Sequence, residues 1–84
     1  MIFLNGDVMK IEILGTGCLR CKNLEANVKM AVEKAGKRAE VIKVTDIKEI
    51  LAYGVMGTPA LVIDGKVMAQ GRIPSVDEIV KMLD

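Results

Sequence analysis

The sequence predicts one α/β domain: a four-stranded mixed sheet with helices on both faces, in the order β-α-β-α-β-β-α. Three observations carry this. Short runs rich in Ile and Val alternate with segments of helical period, the pattern of strands alternating with helices. Asp64-Gly65 lies between two apolar runs, a two-residue hairpin signal that makes the last two strands antiparallel. Ser75 with Glu78 forms a capping box, so the chain closes on a helix.

The elements follow in order. Lys10 to Leu14 is the first strand, with Ile11 and Ile13 on one face and Lys10, Glu12 and Leu14 on the other. Gly15 and Gly17 permit a tight loop. A helix over 19–35 carries an apolar stripe of Leu24, Val28, Ala31, Val32 and Ala35, and Gly36 ends it. Glu25-Lys29 and Lys29-Glu33 stand at i,i+4 on its wet face. Glu40 to Val44 is the second strand, and the charges of Glu40 and Lys43 suit a sheet edge. The first strand-helix-strand unit implies parallel pairing with a right-handed crossover. Asp46 and Glu49 cap a short helix over 47–53, which Gly54 ends. After a loop through Gly57-Thr58-Pro59 come strands over 61–63 and 67–70. Gly71 breaks the last strand, and Val76, Ile79, Val80 and Leu83 form the final amphipathic helix.

Residues 1–8 read as a flexible or loosely packed extension, and the domain proper as 9–84. Asn5-Gly6 admits an added strand there, and Met9 is an alternative functional start.

Composition narrows the function. The chain has 84 residues, 51% of them hydrophobic, with a net charge of +1. Phe3 and Tyr53 are its aromatics, so the core is built from aliphatic residues. There is no basic block and no stacking platform, which leaves nucleic-acid binding unsupported. No apolar run approaches the roughly 20 residues that span a bilayer. Ile2-Phe3-Leu4 is too short for a signal-peptide core and has no basic residue before it. The expected setting is the cytoplasm, without membrane attachment. There a cysteine pair more often means catalysis or metal than a permanent cross-link.

The two cysteines, Cys18 and Cys21, sit where the first strand turns into the first helix. A free thiol has a pKa of about 8.5 and reacts as its thiolate. Unpaired backbone N–H groups and the positive end of the helix dipole favour a thiolate at Cys18. Arg20 adds a positive charge nearby, and the chain has no histidine to serve as a base. Cys21 lies about one helical turn on, within reach of Cys18. Cys18 is therefore expected to attack, and Cys21 to resolve the mixed disulfide. A purely structural bridge is the poorer reading, because so short a loop removes little unfolded-state entropy.

Two stretches together resemble the thioredoxin-fold family in its small single-domain thioredoxin/glutaredoxin-like form. One is the strand followed by Gly17-Cys18-Leu19-Arg20-Cys21-Lys22. The other is Tyr53-Gly54-Val55-Met56-Gly57-Thr58-Pro59-Ala60-Leu61, followed by the Asp64-Gly65 hairpin and Gly71. The resemblance covers nearly everything after Val8. It implies a thioredoxin-like fold and a protein-disulfide oxidoreductase needing no cofactor. Its partners would be disulfide-containing proteins, with a flavin-dependent reductase or a small thiol as electron donor. Cys18 would be the nucleophile and Cys21 the resolving thiol. Pro59 would be cis and packed against the disulfide, where sequence alone favours an ordinary loop proline. Thr58 would offer backbone hydrogen bonds to an extended substrate segment. Glu12 aligns with a buried acid that aids the second proton transfer; the alternative is a partly exposed strand residue.

Three departures from the family pattern bear on substrate. Gly17 stands where thioredoxins have Trp. Leu19-Arg20 replaces the usual pair between the cysteines, so Leu19 supplies apolar docking surface beside Cys18 and Arg20 a charged one. Gly71-Arg72-Ile73-Pro74 replaces the glutaredoxin Gly-Gly-x-x-Asp element, which argues against tight glutathione binding.

The competing function is a Cu(I)-binding module. Two thiolates suit that ion, and Gly15-Thr16-Gly17-Cys18-Leu19-Arg20-Cys21 also resembles the loop of small copper chaperones. Those domains run β-α-β-β-α-β and end in a strand, whereas this chain ends in a capped helix. Zinc would need four ligands, more than one chain's cysteines supply. The chain is expected to be monomeric.

Overall fold

A computed structural model describes residues 8–16 and 19–83. The elements are β1 (Met9–Leu14), α1 (Leu19–Ala35), β2 (Ala39–Val44), α2 (Ile47–Ala52), β3 (Ala60–Ile63), β4 (Lys66–Gln70) and α3 (Val76–Leu83). The expected order holds. Each strand starts one residue earlier than expected, because backbone pairing extends that far (Met9 stands opposite Ala39, for example). Of the extension over 1–8, residues 1–7 lie outside the described residues, as do Gly17 and Cys18.

The sheet order is β2-β1-β3-β4. β1 pairs parallel with β2 and antiparallel with β3, and β3 pairs antiparallel with β4. The parallel pair follows from α1 crossing between the two strands. The antiparallel pair follows from Asp64-Gly65, whose φ values of 51° and 84° are those of the hairpin turn that matches strand twist. Asp64 also accepts a hydrogen bond from the Lys10 amide at 2.9 Å, tying the hairpin to the start of β1. The β3–β4 register shifts between Leu61 and Val62. β2 is an edge strand, and its Glu40 and Lys43 are exposed there.

Alternation along β1 sends Ile11 and Ile13 to one face and Glu12 and Leu14 to the other. On the first face α1 and α3 bury Leu24, Val28, Ala31, Ile79 and Leu83 against Ile11, Ile13, Leu61 and Ile63. On the second, Ile50 of α2 and Val55 of the following loop cover Leu14, Val44, Ala60 and Val62. Burial of each large aliphatic side chain is worth about 1.5–3 kcal/mol.

Helix ends obey local chemistry. Gly36, at φ 67°, closes α1; its N–H donates to Glu33 O, and the Lys37 N–H donates to Val32 O. Asp46 caps α2 by accepting from the Lys48 amide at 2.9 Å. α2 ends at Ala52, with Tyr53 as its cap rather than its last residue. The Ser75–Glu78 box forms in both directions, at 3.1 and 3.2 Å.

Candidate active site

The site is built where β1 ends, α1 begins and the loop before β3 returns. Cys21 continues the buried stripe of α1, three residues before Leu24, so it faces inward and is only 6% exposed. Its sulfur packs against Gly15. A Cβ on Gly15 would collide with Cys21 Sγ and would stand 4.0 Å from Pro59 Cα. Gly15 is thus the point at which Cys21 and the Pro59 loop meet, and only a residue without a side chain fits between them.

The Thr58–Pro59 peptide bond is cis, with Pro59 fully buried and Thr58 exposed. Pro59 O accepts from the Gly71 amide at 3.0 Å. A Cβ on Gly57 would stand 3.3 Å from Gly71 Cα, so these two loop backbones also lie against each other. Arg20 joins them to the helix, its guanidinium donating to Gly71 O at 3.3 Å. The side chain expected to face a substrate is therefore also a tie between α1 and the β4–α3 loop. Leu19 is 73% exposed.

Glu12 is buried. The Tyr53 hydroxyl lies 2.6 Å from each of its carboxylate oxygens and donates to them. In the sheet Glu12 stands between Ile42 and Val62, on the α2 face. The Tyr53 pKa is raised by this hydrogen bond first, then by burial, then by the negative charges of Glu12 and Glu49. On the other side of β1, Glu25 of α1 pairs with Lys29 at 3.1 Å and with Lys43 of β2 at 3.4 Å. Its carboxyl is held below the usual range, chiefly by the hydrogen bond from Lys29.

A shallow groove of about 240 Å³ runs from Thr16 and Thr58 to Ile47, Leu51 and Met56. The last three are 61%, 64% and 94% exposed. Sequence reasoning missed this surface. The available signal was α2 itself, whose six residues include Ile47, Ile50 and Leu51, more apolar groups than one buried face of so short a helix accommodates. Among the described residues, no group of three or more His, Cys, Asp or Glu could hold a metal ion, and no helix is long and apolar enough to cross a membrane.

The fold, with Cys21 set against the Pro59 loop, can be compared with known proteins. A family model described as Thioredoxin domain matches residues 9–84. The chain belongs to the thioredoxin domain family. It is 42% identical over 76 residues to a thioredoxin of Methanothermobacter thermautotrophicus, a match covering 90% of this chain and 99% of that protein. It is 48% identical over 69 residues to a thioredoxin of Methanocaldococcus jannaschii, covering 82% of this chain and 79% of that protein. As a small thioredoxin-like protein it is a protein-disulfide oxidoreductase. In general terms it works between disulfide-bearing substrates and a reductase.

Proposed function

We propose that Cys18 and Cys21 form the redox couple of this oxidoreductase, with Cys18 attacking the substrate disulfide and Cys21 resolving the mixed disulfide. The observation that supports it most is the position of Cys21 Sγ against Gly15, beside the Pro59 loop. α1 begins at Leu19, and a thiol next to a helix N-terminus is favoured as its thiolate by the unpaired N–H groups and the dipole. In the reaction the Cys18 thiolate bonds to one substrate sulfur, and the other leaves with the electron pair and takes a proton. Cys21 then bonds to Cys18 and frees the second substrate thiol.

The substrate is read as a protein segment or a small disulfide lying along exposed Thr58, whose backbone would offer strand-like hydrogen bonds. Leu19, with Ile47, Leu51 and Met56 of the groove, would cover its apolar side chains, and Arg20 would lie at the rim. The electron donor is a flavin-dependent reductase or a small thiol, and no cofactor is required. We place the protein in the cytoplasm as a monomer, where reduced cysteine pairs serve in exchange rather than as staples.

Two variants and a titration test this. Cys18→Ser should abolish reduction of a protein disulfide, and Cys21→Ser should accumulate a mixed disulfide with the substrate. Redox titration of the wild-type couple should give a potential near the thioredoxin reference of about −270 mV rather than the −120 mV or so of a strong oxidant. Full activity in Cys18→Ser would remove the reading.

A further inference from the structure

Resolution of a mixed disulfide requires the Cys21 thiol to lose its proton, and Cys21 is buried. A group must take that proton, and two carboxylates compete. Glu12 is engaged by Tyr53 on the α2 face of the sheet. Glu25 lies one turn beyond Cys21 on the same helix, at i+4, and so projects from the same side. Between them is a cavity of about 50 Å³, lined by Cys21, Gly15, Lys22, Glu25, Lys43 and Thr45. Glu12 does not line it. About 10–15 Å³ suffices for one water, provided two or more polar groups hold it, and Glu25, Lys43 and Thr45 on the wall carry groups of that kind. The Glu25 side chain is 16% exposed while its lysine partners are 63% and 62% exposed, so it joins the cavity to solvent.

We propose that Glu25 accepts the proton of the Cys21 thiol, through water in this cavity, when Cys21 resolves the mixed disulfide. This rests on the Cys18/Cys21 couple described above. The proton leaves Cys21 Sγ for the Glu25 carboxylate. Cys21 Sγ then bonds to Cys18 Sγ, and the bond from Cys18 to the substrate sulfur breaks. The electron pair goes with that sulfur, which is protonated, and Glu25 releases its proton to solvent. The substrate disulfide is reduced by two electrons and the dithiol oxidised by two. The charged groups facing Glu25 are Lys29 from its own helix and Lys43 from β2, with Lys22 on the cavity wall. Their charges keep the carboxylate ionised and ready to accept over the neutral range, at the cost of basicity. Glu25 acts as a relay to water rather than as a store for the proton.

The test is a single-turnover reaction of the reduced protein, in slight excess, with dithiobis(nitrobenzoate), which releases coloured thiolate once on attack and once on resolution. Glu25→Gln should leave the first release unchanged and slow the second by roughly tenfold or more, direct general bases being worth about 10²–10⁴. The two releases are followed at several pH values between about 6 and 9, and the slowing should be present at neutral pH. Glu25→Asp should restore much of the rate, and Glu12→Gln should slow the second release less than Glu25→Gln does. Lys29→Ala breaks the outer ion pair but keeps the carboxylate, and should change the second release by no more than about twofold. A wild-type second release in Glu25→Gln at every pH overturns the proposal, as does equal slowing in Lys29→Ala or slowing in Glu12→Gln alone. A wild-type protein that releases only one equivalent would instead overturn the Cys18/Cys21 couple.

Discussion

On one face of the sheet, α1 and α3 lie over Ile11, Ile13, Leu61 and Ile63, and the core cluster there is aliphatic or alanine, with buried Cys21 at the start of the α1 stripe. On the other, the six residues of α2 and the loop after it cover Leu14, Val44, Ala60 and Val62, and a carboxylate is buried in the same layer. The first face has two amphipathic helices, of 17 and 8 residues. The second has a short helix, the Glu12–Tyr53 pair, and an open groove leading to Thr58. The difference teaches where this small domain places stability and where it places recognition. Two-helix cover buries enough apolar surface to hold the strands together. One-turn cover leaves Ile47, Leu51 and Met56 in solvent, beside the loop that meets Cys21.

Substitutions that break this contrast rank as follows. Leu24→Ala, in the two-helix face, should cost about 3–5 kcal/mol in urea denaturation, and Ile50→Ala, on the thin face, about 2 kcal/mol, since a lightly covered site relaxes more readily. Equal losses would mean that both faces are packed alike. Gly15→Ala should cost about 1–3 kcal/mol, because the new methyl must displace Cys21 Sγ, and should slow disulfide reduction as well. A stability loss with unchanged activity would separate the Gly15 contact from the chemistry.

A smaller effect is expected at the polar spot in the thin face. Tyr53→Phe removes the hydroxyl donor from buried Glu12 and should lower the denaturation midpoint, by less than Gly15→Ala does. The pH dependence gives its sign. The Tyr53 pKa is raised above its ordinary 10.0 in the folded protein, so the folded state keeps the phenol proton where the unfolded chain loses it. That contribution is full below pH 10.0 and is lost as pH rises through the folded value. Wild type should therefore lose stability more steeply than Tyr53→Phe in alkali, and parallel curves would contradict the pair. At the bottom of the scale, Lys34→Ala breaks an exposed pair with Asp77 and should leave the midpoint unchanged within error, wherever the thick face draws its stability from burial rather than charge.

Much of this was legible in the chain. The stripe of α1, the Gly36 and Gly54 stops, the Asp64-Gly65 hairpin and the Ser75–Glu78 box are local signals, each set by residues within a few positions of one another. They were enough for element order and for one mixed sheet with a parallel pair and a hairpin, while the pairing of β1 with β3 was decided by the fold. The candidate site was legible only in part. Cys21 lies in register with Leu24 and Val28, so its burial could be read. The partner of Glu12, however, is Tyr53, 41 residues away, and Glu25, besides its i+4 partner Lys29, pairs with Lys43 on another element. No periodicity reports such pairs.

By itself, then, the sequence determined which segments coil, which extend and where each stops, because those choices are made by dihedral preferences and hydrogen bonds along the backbone. Only the tertiary structure decided that Gly15 separates Cys21 from Pro59, that Glu12 turns to Tyr53, and that Glu25 opens onto the cysteine's cavity. Those are contacts between faces of different elements. Their geometry depends on how helices settle on a twisted sheet, a property of the packed whole rather than of any stretch of chain.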